Sequence, residues 1–313
     1  MAGIDQFSGS TNSESKLIFP TGMDGEFESL KDLVRLGEAD FIADLKKHGL
    51  DTLGIETSTV HAYNDLEKQA LVIALPSVGR PDEVRRKSYL TYAAHWIDDF
   101  MDDPQLVQDP EALFANRKDI RSALGAMGNP GKVGFLMAQK SEHPEAVLKG
   151  LHRVLYGGLI QRSSERSQRE QLLREYSPIG ADGLDTRLAR DILKLRPAVY
   201  LTTNKVVFEI FNSTEEGFNP NVSELWNLIY APALYFHDIH EEEKRGQSNA
   251  TPEERPTVAE MAEMIRMTQG HLREIPDPRQ SLRFKQLRVL NEMFRKVLPS
   301  EIIEAYRDIL QTA

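Results

Sequence analysis

The chain has 313 residues, 40% hydrophobic and 27% charged, the balance of an ordinary globular protein with enough apolar material for a large core. A formal net charge of −10 argues against general binding to nucleic acid or to an anionic membrane surface. The lack of cysteine excludes disulfides, thiolate chemistry and cysteine-ligated metal centres, which fits a reducing cytoplasm. No run of about 18 apolar residues occurs, so no membrane span is expected. Nor does a basic segment precede an apolar one near the start, so no signal peptide is expected.

Residues 1–15 are rich in Ser, Gly, Thr and Asn, and 1–20 read as a mobile tail ahead of one domain over 21–313. Apolar residues at three- and four-residue steps predict helices at 26–48 and 61–76, then from Pro81 to Asp103, where Pro104 stops the pattern. Pro81-Asp82-Glu83 is a strong helix start, with proline in the first turn and acids at the positive end of the dipole. Further helices are expected at 110–125, 130–140, 143–158, 164–175, 184–212, 221–245, 256–272, 279–297 and 299–311. Ser223-Glu224 reads as the N-terminal signal of the 221–245 helix and Gly246 as its C-terminal cap, followed by a charged loop near 246–255. The nearest approaches to strand patterns, Leu71–Pro76 and Val199–Leu201, have no hairpin partners. The fold class expected is a single-domain, all-α helical bundle without internal repeats.

Two of these helices run apolar and then end in acid. The first ends Trp96-Ile97-Asp98-Asp99-Phe100-Met101-Asp102-Asp103, and the second ends His237-Asp238-Ile239-His240-Glu241-Glu242-Glu243-Lys244-Arg245. Acids at a helix C-terminus oppose the dipole, at about 0.3–1 kcal/mol per charge. Positions four apart share a helical face, so Asp98 pairs with Asp102 and Asp238 with Glu242, with Glu241 alongside. Oxygen-only clusters of this kind suit Mg²⁺, which keeps several waters and is completed by substrate phosphates.

At these residues the chain resembles the class I terpene synthases (terpene cyclases) of the isoprenoid synthase superfamily, all-α enzymes of about this length. Asp98-Asp99-Phe100-Met101-Asp102 matches their DDxxD motif in full. Asp238 stands 140 residues later, where the family carries NDxxSxxxE. In that register His237, Glu241 and Arg245 fall at the Asn, Ser and final Glu positions, while Asp238 and Lys244 match. The alternative DxxEE register, Asp238-Ile239-His240-Glu241-Glu242, is similar to squalene-synthase and prenyltransferase relatives. It supplies negative charge where Arg245 does not. The resemblance covers most of residues 80–250.

The resemblance implies an Mg²⁺-dependent lyase of isoprenoid biosynthesis that ionises a linear isoprenyl diphosphate, farnesyl or geranylgeranyl diphosphate foremost, and cyclises or rearranges the carbocation with release of diphosphate, using two or three metal ions. Asp98, Asp102, Asp238, Glu241 and Glu242 would be the ligands. Arg196, 42 residues before Asp238 and followed by the helix-bending Pro197, would sense the diphosphate together with Lys244 and Arg245. Arg190 fits the longer end of the family spacing. Asp99 would orient Arg196. Tyr92, Trp96, Phe100, Tyr200, Phe208, Trp226 and Tyr235 are candidates for an aromatic pocket that stabilises a carbocation, although each also suits ordinary core packing. Arg283-Phe284 is the nearest dipeptide to the family's late Arg-Tyr pair. Family members often pair, which allows a homodimer.

Other readings remain open from the residues alone. A chain-elongating prenyltransferase or a squalene-synthase-like enzyme would use the same metals, but Pro104-Gln105-Leu106-Val107 stands where elongating enzymes carry Arg-Arg-Gly. His237-Asp238 invites an HD-type metal phosphohydrolase, yet the nearest upstream histidine, His152, is 85 residues away. A di-iron bundle would need paired Glu-x-x-His motifs, which Glu142-His143 does not supply. A non-catalytic helical interaction protein would carry the same acids as solvated surface. No P-loop, GxGxxG element or Ser-His-Asp pattern appears.

Overall fold

A computed structural model describes residues 24–50, 60–102, 119–162, 199–245 and 255–311. Among these residues there are eleven α-helices, one 3₁₀ turn and no strand. The helices are α1 (Asp24–Lys47), α2 (Val60–Ala74), α3 (Pro81–Asp102), α4 (Ile120–Ala126), α5 (Asn129–Gln139) and α6 (Pro144–Arg162), followed by α7 (Val199–Asn212), α8 (Pro220–Arg245), α9 (Val258–Leu272), α10 (Gln280–Phe294) and α11 (Ser300–Gln311). The all-α class is therefore as expected. Predicted segments 110–118, 164–175 and 184–198, with Gly246 and most of the loop after it, lie outside the described residues.

Local chemistry explains several boundaries. Pro81 opens α3, with Asp82 and Glu83 in its first turn. Asp119 caps α4 by accepting from the Ser122 N–H at 3.0 Å. Thr257 and Glu260 form a reciprocal capping box on α9. The start of α8 differs from expectation. It begins at Pro220, and the Asn219 side-chain oxygen accepts from the N–H groups of Asn221 at 3.0 Å and Val222 at 3.3 Å. Asn-Pro combines a strong cap with a pre-set first residue, so it outcompetes Ser223, whose hydroxyl is buried in contact with Asn212 and Asn227. The apolar run Leu71–Ala74 closes α2, and Leu75–Ser77 form the 3₁₀ turn leading towards α3. Val199–Leu201 open α7.

Buried side chains from all eleven helices form one contiguous core. Helix α3 packs on α1, α2 and α5, whereas α8 packs on α7, α9 and α10. Close approach is built in at glycines. A Cβ on Gly37 of α1 would sit 2.5 Å from the Arg85 carbonyl oxygen of α3, and one on Gly131 would sit 1.7 Å from the Leu124 carbonyl oxygen. Helices α8 and α10 run in the same direction. The Trp226 ring meets Phe284 at 5.2 Å near their starts, and His237 meets Phe294 at 5.2 Å further along. No helix among the described residues is long and apolar enough to cross a membrane.

Candidate functional site

Helices α3 and α8 are tied near their N-termini by a buried ionic hub. Lys87 of α3 is 0% exposed and donates to Glu215 Oε1 at 2.6 Å. The other oxygen of Glu215 accepts from Arg283 Nη2 of α10 at 2.5 Å. Arg283 Nε in turn meets Asp277 Oδ2 at 3.1 Å, and the same oxygen accepts from the indole N–H of Trp226 on α8 at 2.8 Å. Alongside, Glu83 of α3 binds Arg279 through both oxygens, at 2.5 and 3.0 Å, and accepts from the Glu216 N–H at 2.8 Å. The Tyr230 hydroxyl closes the cluster by donating to the Arg283 carbonyl at 3.2 Å.

The electrostatics follow from that geometry. Burial on its own would raise the Glu215 carboxyl, but Lys87 and Arg283 hold it below its ordinary range. Burial pushes the Lys87 ammonium down, with Glu215 opposing. Burial pushes Asp277 up against the pull of Arg283. Three buried carboxylates (Glu83, Glu215, Asp277) thus face three buried cations (Lys87, Arg279, Arg283), and the partly exposed Arg80 adds a fourth cation at 3.3 Å from Glu83. A second buried pair, Lys205–Glu224 at 2.5 Å, joins α7 to α8. Beside it burial raises the Glu209 carboxyl above its ordinary value.

Both acid-rich segments end helices that leave this hub. Asp98 lies 11 residues beyond Lys87, about 17 Å along α3, and Asp238 lies 12 residues beyond Trp226, about 18 Å along α8. The Asp98 side chain is exposed, and so is that of Asp238, whose Oδ1 is 3.5 Å from Nδ1 of His237. The backbone keeps Asp98 and Asp102 one turn apart at the end of α3, and Asp238, Glu241 and Glu242 within one turn of α8. The side chains of Asp99, Phe100, Asp102, Glu241, Glu242, Lys244 and Arg245 lie outside the described residues, as do Arg196 and the side chain of Tyr200. Among the described residues no group of three or more His, Asp or Glu side chains is placed to hold a metal. Carboxylate oxygen, the donor at Asp98 and Asp238, is the type that hard divalent cations prefer.

The described aromatic candidates fall in three places. Trp96 is half-buried two residues before Asp98, and Tyr235 is buried three residues before Asp238, edge-on to Phe236 at 5.2 Å. Trp226 and Phe208 belong to the hub half, where Tyr230 lies 5.6 Å from Trp226 and 5.1 Å from Phe208. Tyr92 turns towards α1, where its hydroxyl bonds Glu38, a carboxyl raised by burial.

The residues that sequence reasoning missed are those of the hub and His95. Arg283 stood only as a loose counterpart of an Arg-Tyr pair, and its guanidinium binds Glu215 and Asp277 instead. One signal for the hub was present: Val84, Lys87 and Thr91 fall on one helical stripe, all fully buried, so a cation occupies a core position of α3. His95, one turn before Asp98, is held between the Thr91 carbonyl at 2.9 Å and Gln69 Oε1 of α2 at 3.0 Å. Comparison with family models, curated proteins and solved structures returned no significant match.

Proposed function

We propose that this chain is a class I terpene-synthase-like lyase that ionises a linear isoprenyl diphosphate. The observation that supports the reading is the shared origin of α3 and α8. Two helices anchored to one buried ionic hub each carry an exposed aspartate near their end, Asp98 and Asp238, at similar distances from it. Helix ends rich in acid oppose their own dipoles, and a bound cation removes that opposition.

In this reading Asp98 and Asp102 on α3, with Asp238, Glu242 and Glu241 on α8, would hold Mg²⁺. A cation held by these residues would supply charge neutralisation for a diphosphate leaving group. Arg196, Lys244 and Arg245 would donate hydrogen bonds to the departing diphosphate, with Asp99 orienting Arg196. The allylic C–O bond breaks heterolytically and its electron pair leaves with the diphosphate. The resulting cation ends as an alkene by proton loss or as an alcohol by water capture. Trp96 and Tyr235, the described pocket candidates nearest the acids in sequence, would offer ring faces to the positive charge and keep bulk water away.

The test is incubation of the purified protein with geranyl, farnesyl and geranylgeranyl diphosphates, with Mg²⁺ or with EDTA. Products are read by gas chromatography–mass spectrometry and by diphosphate release. A terpene hydrocarbon or alcohol formed only with Mg²⁺ is the expected result. Absence of both product and diphosphate from all three substrates would overturn the reading.

A further inference from the structure

We infer that the chain of contacts Lys87–Glu215–Arg283–Asp277–Trp226 is a positioning device that sets α3 against α8 and so fixes the spacing of the two acidic helix ends. The inference rests on the function proposed above, because it assigns the hub a role at that site. Helices α3 and α8 share one packing partner, α7, and otherwise pack apart: on α1, α2 and α5 for the one, on α9 and α10 for the other. Besides α7, which packs on both, a buried polar relay links them. Lys87 on α3 reaches Glu215 at 2.6 Å, Glu215 reaches Arg283 at 2.5 Å, and Asp277 takes Arg283 at 3.1 Å and Trp226 of α8 at 2.8 Å.

Such a linkage constrains the helices in a way that apolar packing does not. Apolar side chains of similar volume exchange places at little cost, and cores repacked in this way lose uniqueness before they lose stability. A planar guanidinium held at two carboxylates has a fixed direction and a fixed reach. A slip of one residue moves a helix end by about 1.5 Å, about three times the 0.5 Å tolerance of a working site. Burying charged groups is also a poor way to gain stability, since apolar replacements are often as good or better. Specifying a register is the best-attested reason to retain them. The acids at stake are 11 residues from Lys87 along α3 and 12 from Trp226 along α8, which carries Pro232 between them. None of the hub residues belongs to either acidic segment.

The experiment compares wild type with the neutral double replacement Lys87→Met/Glu215→Leu, which removes one charge of each sign and leaves the Arg283–Asp277 and Arg279–Glu83 pairs. The probe is inorganic diphosphate with a titration of MgCl₂, read as thermal stabilisation. Circular dichroism and the melting temperature without ligand monitor the fold. The expected result is a double variant that folds with unchanged helicity but needs at least ten-fold more Mg²⁺ for half-maximal stabilisation. Lys87→Arg, which keeps charge and donors, should stay within about two-fold of wild type. If the double variant does not fold, Glu215→Gln takes its place with the same expected shift. A folded variant that keeps the wild-type Mg²⁺ midpoint overturns the inference and leaves the proposed function standing. A wild-type protein unaffected by Mg²⁺ and diphosphate overturns both.

Discussion

Lys87 Nζ lies 2.6 Å from Glu215 Oε1 although 128 residues separate them, and both side chains are almost wholly removed from solvent. Two opposite charges in that setting are mutually dependent, because each supplies what water would otherwise give the other. Arg283 adds a second cation on the far oxygen of the same carboxylate. Removing Glu215 would therefore strand two buried cations. Glu215→Ala should cost about 3–5 kcal/mol of unfolding free energy in urea denaturation. A loss below about 1 kcal/mol would mean that water replaces the carboxylate at little cost.

The same carboxylate makes a pH prediction. Glu215 is held below its ordinary value of 4.5 in the folded state, with Lys87 and Arg283 outweighing the effect of burial. A depressed carboxylate pKa contributes stability that is present above the unfolded value and is lost as pH falls through the folded one. The stability difference between wild type and Glu215→Gln should hold from pH 7 to 5 and shrink steadily below 4.5. Melting temperatures of the two proteins across that range provide the check, and a constant gap down to pH 3 would contradict it.

Backbone contact between α1 and α3 is equally specific. A methyl group at Gly37 would stand 2.5 Å from the Arg85 carbonyl oxygen and 2.6 Å from Ser88 Cβ, so the helices must separate to admit it. Overpacking of this kind costs about 1–3 kcal/mol. Gly37→Ala should lower the melting temperature by several degrees, whereas Gly125→Ala, which meets nothing within 4 Å, should not lower it.

For the chemistry, Asp98→Ala should reduce Mg²⁺-dependent diphosphate release by about 100-fold or more with the helical circular dichroism intact. Wild-type turnover in that variant would remove the first acidic segment from the proposed site.

Arg245→Glu separates the two registers of the second segment. If Glu242 serves as the ligand, adding a carboxylate at 245 should leave turnover unchanged or lower it, because a phosphate donor is lost. An increase in turnover would favour the NDxxSxxxE register instead.

Much of the fold was legible in local chemistry. Helix α3 starts at Pro81, as the proline and the first-turn acids require, and Pro104, expected to stop it, lies outside the described residues. The boundaries of α8 and α10 fall within a few residues of those that periodicity predicts. Where local signals competed, the stronger one prevailed: Asn219-Pro220 begins α8, and Ser223 is drawn into a buried polar contact. Glu83 illustrates the limit of local reading. Its position in the first turn of α3 is readable as dipole complementation, yet its carboxylate is held by Arg279, 196 residues away.

By itself the amino-acid order determined the helical class, the positions of most helices and the sharing of a face by acids four residues apart, because these depend on contacts within a turn or two. The tertiary structure decided which distant charges meet. Lys87, Glu215, Asp277 and Arg283 are unremarkable as separate letters, and only the packing of α3, α8 and α10 removes them together from water. That burial turns four ordinary surface residue types into a directional linkage, since a charge in the interior must find its partner at a fixed distance and angle.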